Sequence, residues 1–196
     1  MKEIQIKKLT PDGAEEFLHY FEKCAFPQGD PRANCYCLES HLPNEEEYTT
    51  VQARREKARE LIRSGIMTGY LLYSGGRGVG WCNAGDKAAY QPLCENPDFF
   101  TETPEKGRIK ALYCIDIASD WQGKGLASLV MERFLADARE EGFAYAEGYP
   151  FTDTNAPWQQ YRGPLRLYEK FGFEIVRKGP RFTVARKALG LPEREG

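Results

Sequence analysis

Histidine is nearly absent from this chain, with only His19 and His41 among 196 residues. A zinc centre would have to draw on cysteine, and the nearest pair, Cys35 and Cys37, is spaced Cys-x-Cys rather than Cys-x-x-Cys. That pair would need distant partners such as Cys82 or His41. A structural role, or a thiol lining a substrate cleft, ranks ahead of a metal, and no metal is expected. An excess of charge is lacking too. The 27 Lys and Arg stand against 29 Asp and Glu, a net charge of -2, which supplies no overall electrostatic reason for a nucleic acid partner. Nor does an uninterrupted apolar segment open the chain. Met1 to Lys8 alternates charged and apolar residues, the pattern of neither a signal peptide nor a membrane span. The expectation is a cytoplasmic protein with no membrane partner, whose 6 Cys remain thiols. Cys24, Cys82, Cys94 and Cys114 are scattered singly, and Cys114 is most simply a small core residue. Internal repeats and low-complexity stretches are also missing.

What remains suits one domain over 1-190, with a loose tail at 191-196, long enough to bury roughly 70% of the surface of the unfolded chain. Ile4 and Ile6 alternate with polar residues as a first strand. Thr10 and Pro11 open a helix whose apolar side is Phe17, Leu18 and Phe21, and Pro27 to Pro43 reads as an irregular loop. A second helix is expected from Asn44 to Gly65 on the stripe Tyr48, Val51, Ala58, Leu61 and Ile62. Ile66 to Tyr73 and Val79 to Ala84 form a hairpin around Gly75, Gly76 and Gly78, and Gly85 to Gly107 reads as a loop. A strand from Phe143 to Tyr149, a short helix at Leu165 to Phe171, and strands near Glu174 to Arg177 and Arg181 to Ala185 close the chain.

The organising stretch is Arg108 to Gly142. Ile109, Ala111, Tyr113, Ile115 and Ile117 alternate as one buried face of a strand. A polar turn with two glycines follows. Then Leu126, Leu129, Val130, Phe134 and Ala138 make a helical stripe, closed by Gly142. A helix entered this way leaves its first N–H groups unpaired and aimed at one point, which attracts an anion. Gly123 and Gly125 let the backbone come close, Lys124 adds a cation, and the dipole contributes roughly 0.3–1 kcal/mol per anionic charge. A phosphate or pyrophosphate is the expected guest. It is not a dinucleotide-binding turn, because Ser128 stands where the third glycine belongs, and the upstream glycine of a nucleotide-hydrolase phosphate loop is missing.

Gln122, Gly125 and Ala127, with Gly123 and Lys124 between them, resemble the Gln/Arg-x-x-Gly-x-Gly/Ala signature of the GNAT superfamily of N-acetyltransferases. Leu167 to Glu174 is similar to the family's late Leu-Tyr-x-Lys-x-Gly-Phe-Glu segment. The resemblance covers the second half of the chain well and the first half in outline. It implies an α/β (α+β) fold with a mixed, mostly antiparallel sheet, helices on both faces, and a splay between strands four and five. It also implies acetyl-CoA as cosubstrate, a small-molecule or peptide amine as acceptor, a cleft wall made by the first two helices, and homodimers as a common state.

On this resemblance the pyrophosphate lies on Gln122, Gly123, Lys124, Gly125, Leu126 and Ala127, and the pantetheine runs along Ile115 and Ile117. Backbone groups freed by the splay bind its amides, and an N–H near Ile117 polarises the thioester carbonyl. The amine attacks directly. Tyr168 matches the tyrosine that protonates the leaving thiolate. For the base, Ala111 occupies the position of a glutamate found in histone-acetylating members and cannot serve. Glu147, flanked by Tyr145 and Tyr149, is the first candidate and Asp116 the second. The asparagine that often binds pantetheine is replaced by Tyr161, with Asn155 further upstream. Trp158, Tyr161 and Arg162 either shape the acceptor pocket or cap the core. A non-catalytic acyl-CoA-binding sensor of the same fold is the alternative.

Overall fold

The computed structural model describes residues 3–42, 48–99, 101, 107–153 and 161–190. Seven strands form one sheet: β1 (Ile4–Lys8), β2 (Gly69–Ser74), β3 (Arg77–Asp86), β4 (Ile109–Ile117), β5 (Tyr145–Gly148), β6 (Glu174–Lys178) and β7 (Thr183–Ala188). Their spatial order is β1-β2-β3-β4-β5-β7-β6, and β4 with β5 is the parallel pair in an otherwise antiparallel ladder. Gly75 and Gly76 turn the β2–β3 hairpin with φ of 57° and 83°, the left-handed pair whose twist matches that of the flanking strands.

Helices cover both faces. On one side lie α1 (Ala14–His19), α2 (Val51–Arg63) and α3 (Gln91–Glu95), which bury Phe17, Leu18, Leu61, Ile62 and Leu93 against Leu71, Trp81, Ala111 and Tyr113. On the other, α4 (Leu126–Glu140) and α5 (Leu165–Lys170) bury Val130, Phe134, Leu167 and Tyr168 against Leu72, Val79, Leu112 and Ile115. No helix among the described residues is long and apolar enough to cross a membrane.

Several sequence expectations change. The helix expected from Asn44 starts at Val51, where the Thr50 hydroxyl accepts the Ala53 N–H at 3.1 Å. Val51 is consequently exposed at the first turn, and Asn44 itself lies outside the described residues, as do Asn155, Trp158 and the tail. The segment read as a loop from Gly85 carries α3, opened by Pro92 near its start. In α4, Leu129 faces solvent while Met131 and Leu135 are buried, so the buried stripe is rotated from the one expected. The largest change is in β4. The ladder with β3 skips a residue, pairing Asn83 with Cys114 and Ala84 with Leu112. This bulge at Tyr113 reverses the parity of the strand: Ala111 and Tyr113 point to the α1–α3 side, Ile115 and Ile117 to the α4 side. The single face expected for all five residues does not exist. Both sides are covered, so apolar residues occur on both faces and alternation could not report the flip.

Candidate active site

The β4–β5 pairing is short. It joins Ile109 to Tyr145 and continues to Leu112 with Gly148, after which β4 runs on to Ile117 without β5 beside it. The space vacated is a cleft of 370 Å³. Ile115, Asp116 and Ile117 form one wall. Gln122, Gly123, Gly125, Leu126 and Ala127 form the end, and Tyr161, Gly163, Pro164 and Arg166 face them. Arg32 closes the rim. Seven of the eight residues expected to hold the cofactor therefore line one cavity.

The eighth, Lys124, does not. Lys124 turns its ammonium onto the Asp120 carbonyl at 2.8 Å and over the Trp121 ring at 4.7 Å, and it is not among the lining side chains. Two other cations line the cleft, Arg32, held by Asp30 in a two-point ion pair, and Arg166 of α5, which the sequence offered no reason to bring together. Gly123 and Gly125 have φ of 73° and 83°, the left-handed region, and a side chain at either would be strained although the space is open. Among the described residues the amides from Gly123 to Ala127 have no backbone acceptor, whereas those of Ser128 and Leu129 bond the Gly125 carbonyl. Gln122 does not point outward. Its amide donates to the Ile117 carbonyl at 3.1 Å and fastens the turn to the end of β4.

The two candidate bases have opposite surroundings. Glu147 lies opposite Ala111, five residues from Asp116 along β4, or roughly 16 Å at strand spacing. It does not line the cleft. Its carboxylate is fully buried and accepts from Lys87 at 2.8 Å, Arg186 at 2.6 Å, Tyr149 at 2.8 Å and Thr101 at 3.2 Å. Burial alone would push its pKa up, but Lys87 and Arg186 overcome that and hold it below the usual carboxylate range. A carboxylate so saturated has no lone pair turned toward an incoming proton. Asp116 is in the cleft wall. Burial raises its pKa to about 7, against the lowering effect of the Tyr20 hydroxyl, which donates to Oδ2 at 3.2 Å, and of Arg32.

Tyr168 stands where the strands part. Its ring lies against Gly148, where any Cβ would collide with it, and packs edge-on to Phe173 at 5.4 Å. The hydroxyl donates to the Arg162 carbonyl at 2.6 Å, and burial raises the phenol far above its ordinary value, so it keeps its proton. Among the cysteines, all free, Cys35 is exposed and Cys37 is buried with the Asn83 amide donating to its sulfur at 3.3 Å. The same Asn83 donates to Ser40 at 2.8 Å and accepts from Tyr90 at 2.7 Å, which ties the Leu38–Ser40 turn to the middle of β3. Cys37 and the preceding Tyr36 both sit at positive φ, a strained turn held by this network. None of that was readable from the Cys-x-Cys spacing.

Comparison with known proteins fits this geometry. The acetyltransferase (GNAT) family profile matches residues 32–173. No curated protein matches the sequence. Among solved structures, a GNAT-family acetyltransferase from Streptococcus pneumoniae superposes with a TM-score of 0.55 at 17% identity, covering 96% of this chain and 100% of that one. The ribosomal-protein-S18-alanine N-acetyltransferase from Escherichia coli gives 0.54 at 13% identity over 98% of each chain. The protein yncA from Salmonella typhimurium, solved with its cofactor acetyl-CoA, gives 0.54 at 14% identity over 97% and 96%. Identities this low speak for the fold, while the profile covers well over half of the sequence. With a parted β4–β5 pair and a glycine turn at its end, this chain belongs to the GNAT family of acetyltransferases.

Proposed function

We propose that the protein moves the acetyl group of acetyl-CoA to a primary amine of a small molecule or peptide, by direct attack and with no acyl-enzyme. The amides of Gly123 to Ala127 would receive the diphosphate, aided by the positive charges of Arg32 and Arg166, and the free edge of β4 would offer hydrogen-bonding groups to the pantetheine. A lysine-like amine with a pKa of about 10.4 is mostly protonated at pH 7, a deficit near 4.6 kcal/mol, so the site needs a proton acceptor. Asp116 serves as that base, directly or through one water, because a carboxyl poised near neutrality can take a proton and release it again. Tyr168, protonated in the resting site, leaves the Arg162 carbonyl to give its proton to the departing thiolate, and the phenolate so formed takes a proton back from solvent before the next turnover.

The observation that carries this reading is a single cavity holding both the unpaired amides after Gly123 and an aspartate with a pKa near 7. Calorimetry with CoA, followed by thiol release from acetyl-CoA across an amine panel, tests it. Stoichiometric binding that weakens in Gly125→Val, with turnover on some amine, is expected. Absence of CoA binding would refute the reading, and binding without thiol release on any amine would make the protein the sensor instead.

A further inference from the structure

Arg162 is a large cation whose surroundings the proposed chemistry leaves unexplained. It is fully buried, yet Nε, Nη1 and Nη2 have no hydrogen-bond acceptor of good geometry among the described residues. Rings enclose it: the guanidinium carbon lies 4.1 Å from the centre of Tyr113, 4.6 Å from Phe182 and 5.2 Å from Phe99. Aromatic faces attract a cation but accept no hydrogen bonds in the plane of its N–H donors, and the Tyr113 and Tyr161 hydroxyls, which interact with the charge, make no hydrogen bond of good geometry to it. The nearest anion is the half-exposed Glu39 carboxylate, 3.7 Å from Nη2, too far for a hydrogen bond. A buried charge left this short of partners costs several kcal/mol unless something else satisfies it.

Its position says what that is. Tyr161 and Gly163, on either side of it in sequence, line the cofactor cleft. Tyr113, Phe99, Phe182 and Glu39, which surround the guanidinium, line a second cavity of 450 Å³. Arg162 itself lines neither cavity: its guanidinium lies behind the rings and Glu39 that line the second one, beside the Tyr113 bulge where β4 leaves β5, and it is reached from that cavity when Glu39 moves aside. Glu39 lies in the turn that Asn83 ties down through Ser40, so its carboxylate reaches toward Arg162 from a fixed base while its exposed end is free to swing away.

We propose that the second cavity is the acceptor site, and that Arg162 binds a carboxylate on the acceptor, displacing Glu39, so that the substrate is a primary amine that also carries a carboxylate and an apolar or aromatic body. This rests on the acetyltransferase reading. A guanidinium whose donors form a planar fork matches a carboxylate with two parallel hydrogen bonds, and the rings exclude water around the pair. The amine then has a fixed distance from the anchored end, and the anchor selects against neutral amines, because a neutral analogue would leave the buried cation unpaired.

The test is a set of amino acids paired with their own carboxamides, titrated by calorimetry into the full chain and assayed for acetyl transfer. The wild-type protein should bind at least one carboxylate at least tenfold more tightly than its amide, with a matching ratio in kcat/KM. Arg162→Met should bring the two within about threefold while CoA affinity is kept. Glu39→Gln, on an exposed side chain that the fold tolerates, should leave the preference in place and tighten the carboxylate. Equal affinity for both members of every pair, no binding of either in any pair, or a preference that survives Arg162→Met would overturn the proposal. Should Arg162→Met not fold, Glu39→Gln decides: loss of stability with no change for the carboxylate means that Arg162 and Glu39 are a structural pair only. Loss of CoA binding, or of transfer to every amine, would strike the acetyltransferase reading itself.

Discussion

The parallel pair β4–β5 has a closed end and an open end, and the two treat charge in opposite ways. At the closed end, between Ile109 and Leu112, Glu147 is held by two cations and two hydroxyls. At the open end, past Leu112 and Gly148, Asp116 keeps a raised pKa, Arg162 lacks acceptors, and the amides after Gly123 have no backbone partner. The closed end is complete without a ligand. The open end leaves donors unmet. Between these two ends of one strand pair, the difference lies in unmet hydrogen-bonding capacity rather than in the mere presence of a buried charge.

Substitutions can break this contrast. The largest effect is expected at the closed end. Glu147→Gln leaves Lys87 and Arg186 without their anion and should cost about 3–5 kcal/mol of stability, read by denaturant unfolding, while the surviving enzyme keeps the wild-type pH profile. Asp116→Asn should do the reverse, lowering turnover about 10²- to 10³-fold with CoA affinity kept. Tyr168→Phe should lower turnover roughly 10²-fold with CoA affinity kept; unchanged turnover removes it from the mechanism. Gly125→Ala, forced to φ of 83°, should weaken CoA by about tenfold, the equivalent of about 1–2 kcal/mol of backbone strain.

A smaller effect concerns stability against pH. Asp116 has a pKa of about 7 when folded against 3.8 ordinarily, so between those values the folded chain retains a proton that the unfolded chain has released. Its contribution to stability therefore falls as pH rises from about 4 to 7. Melting temperatures measured across that window should decline less in Asp116→Asn than in the wild type.

The turn was legible because its glycines and polar run sit between a strand period and a helix period, and local spacing is what a sequence displays directly. The sheet's β2–β3 hairpin and the α5 segment were readable for the same reason. The surroundings of Glu147 were not legible: its flanking Tyr145 and Tyr149 suggested a site, while the partners that saturate it, Lys87 and Arg186, lie 60 and 39 residues away. The parity of β4 depends on its register with Asn83 and Ala84 of another strand, which no pattern within β4 could carry. Arg162 was visible as a residue of the pocket or of the core; that it is both buried and short of acceptors is a property of the assembled rings around it.

The pH dependence of kcat/KM for the wild type, Asp116→Asn and Glu147→Gln tests the division between the two ends most directly. The expected result is a wild-type rate that rises through about pH 7, an inflection lost in Asp116→Asn and retained in Glu147→Gln. An inflection that persists in Asp116→Asn and disappears in Glu147→Gln would place the proton acceptor at the closed end and contradict the account.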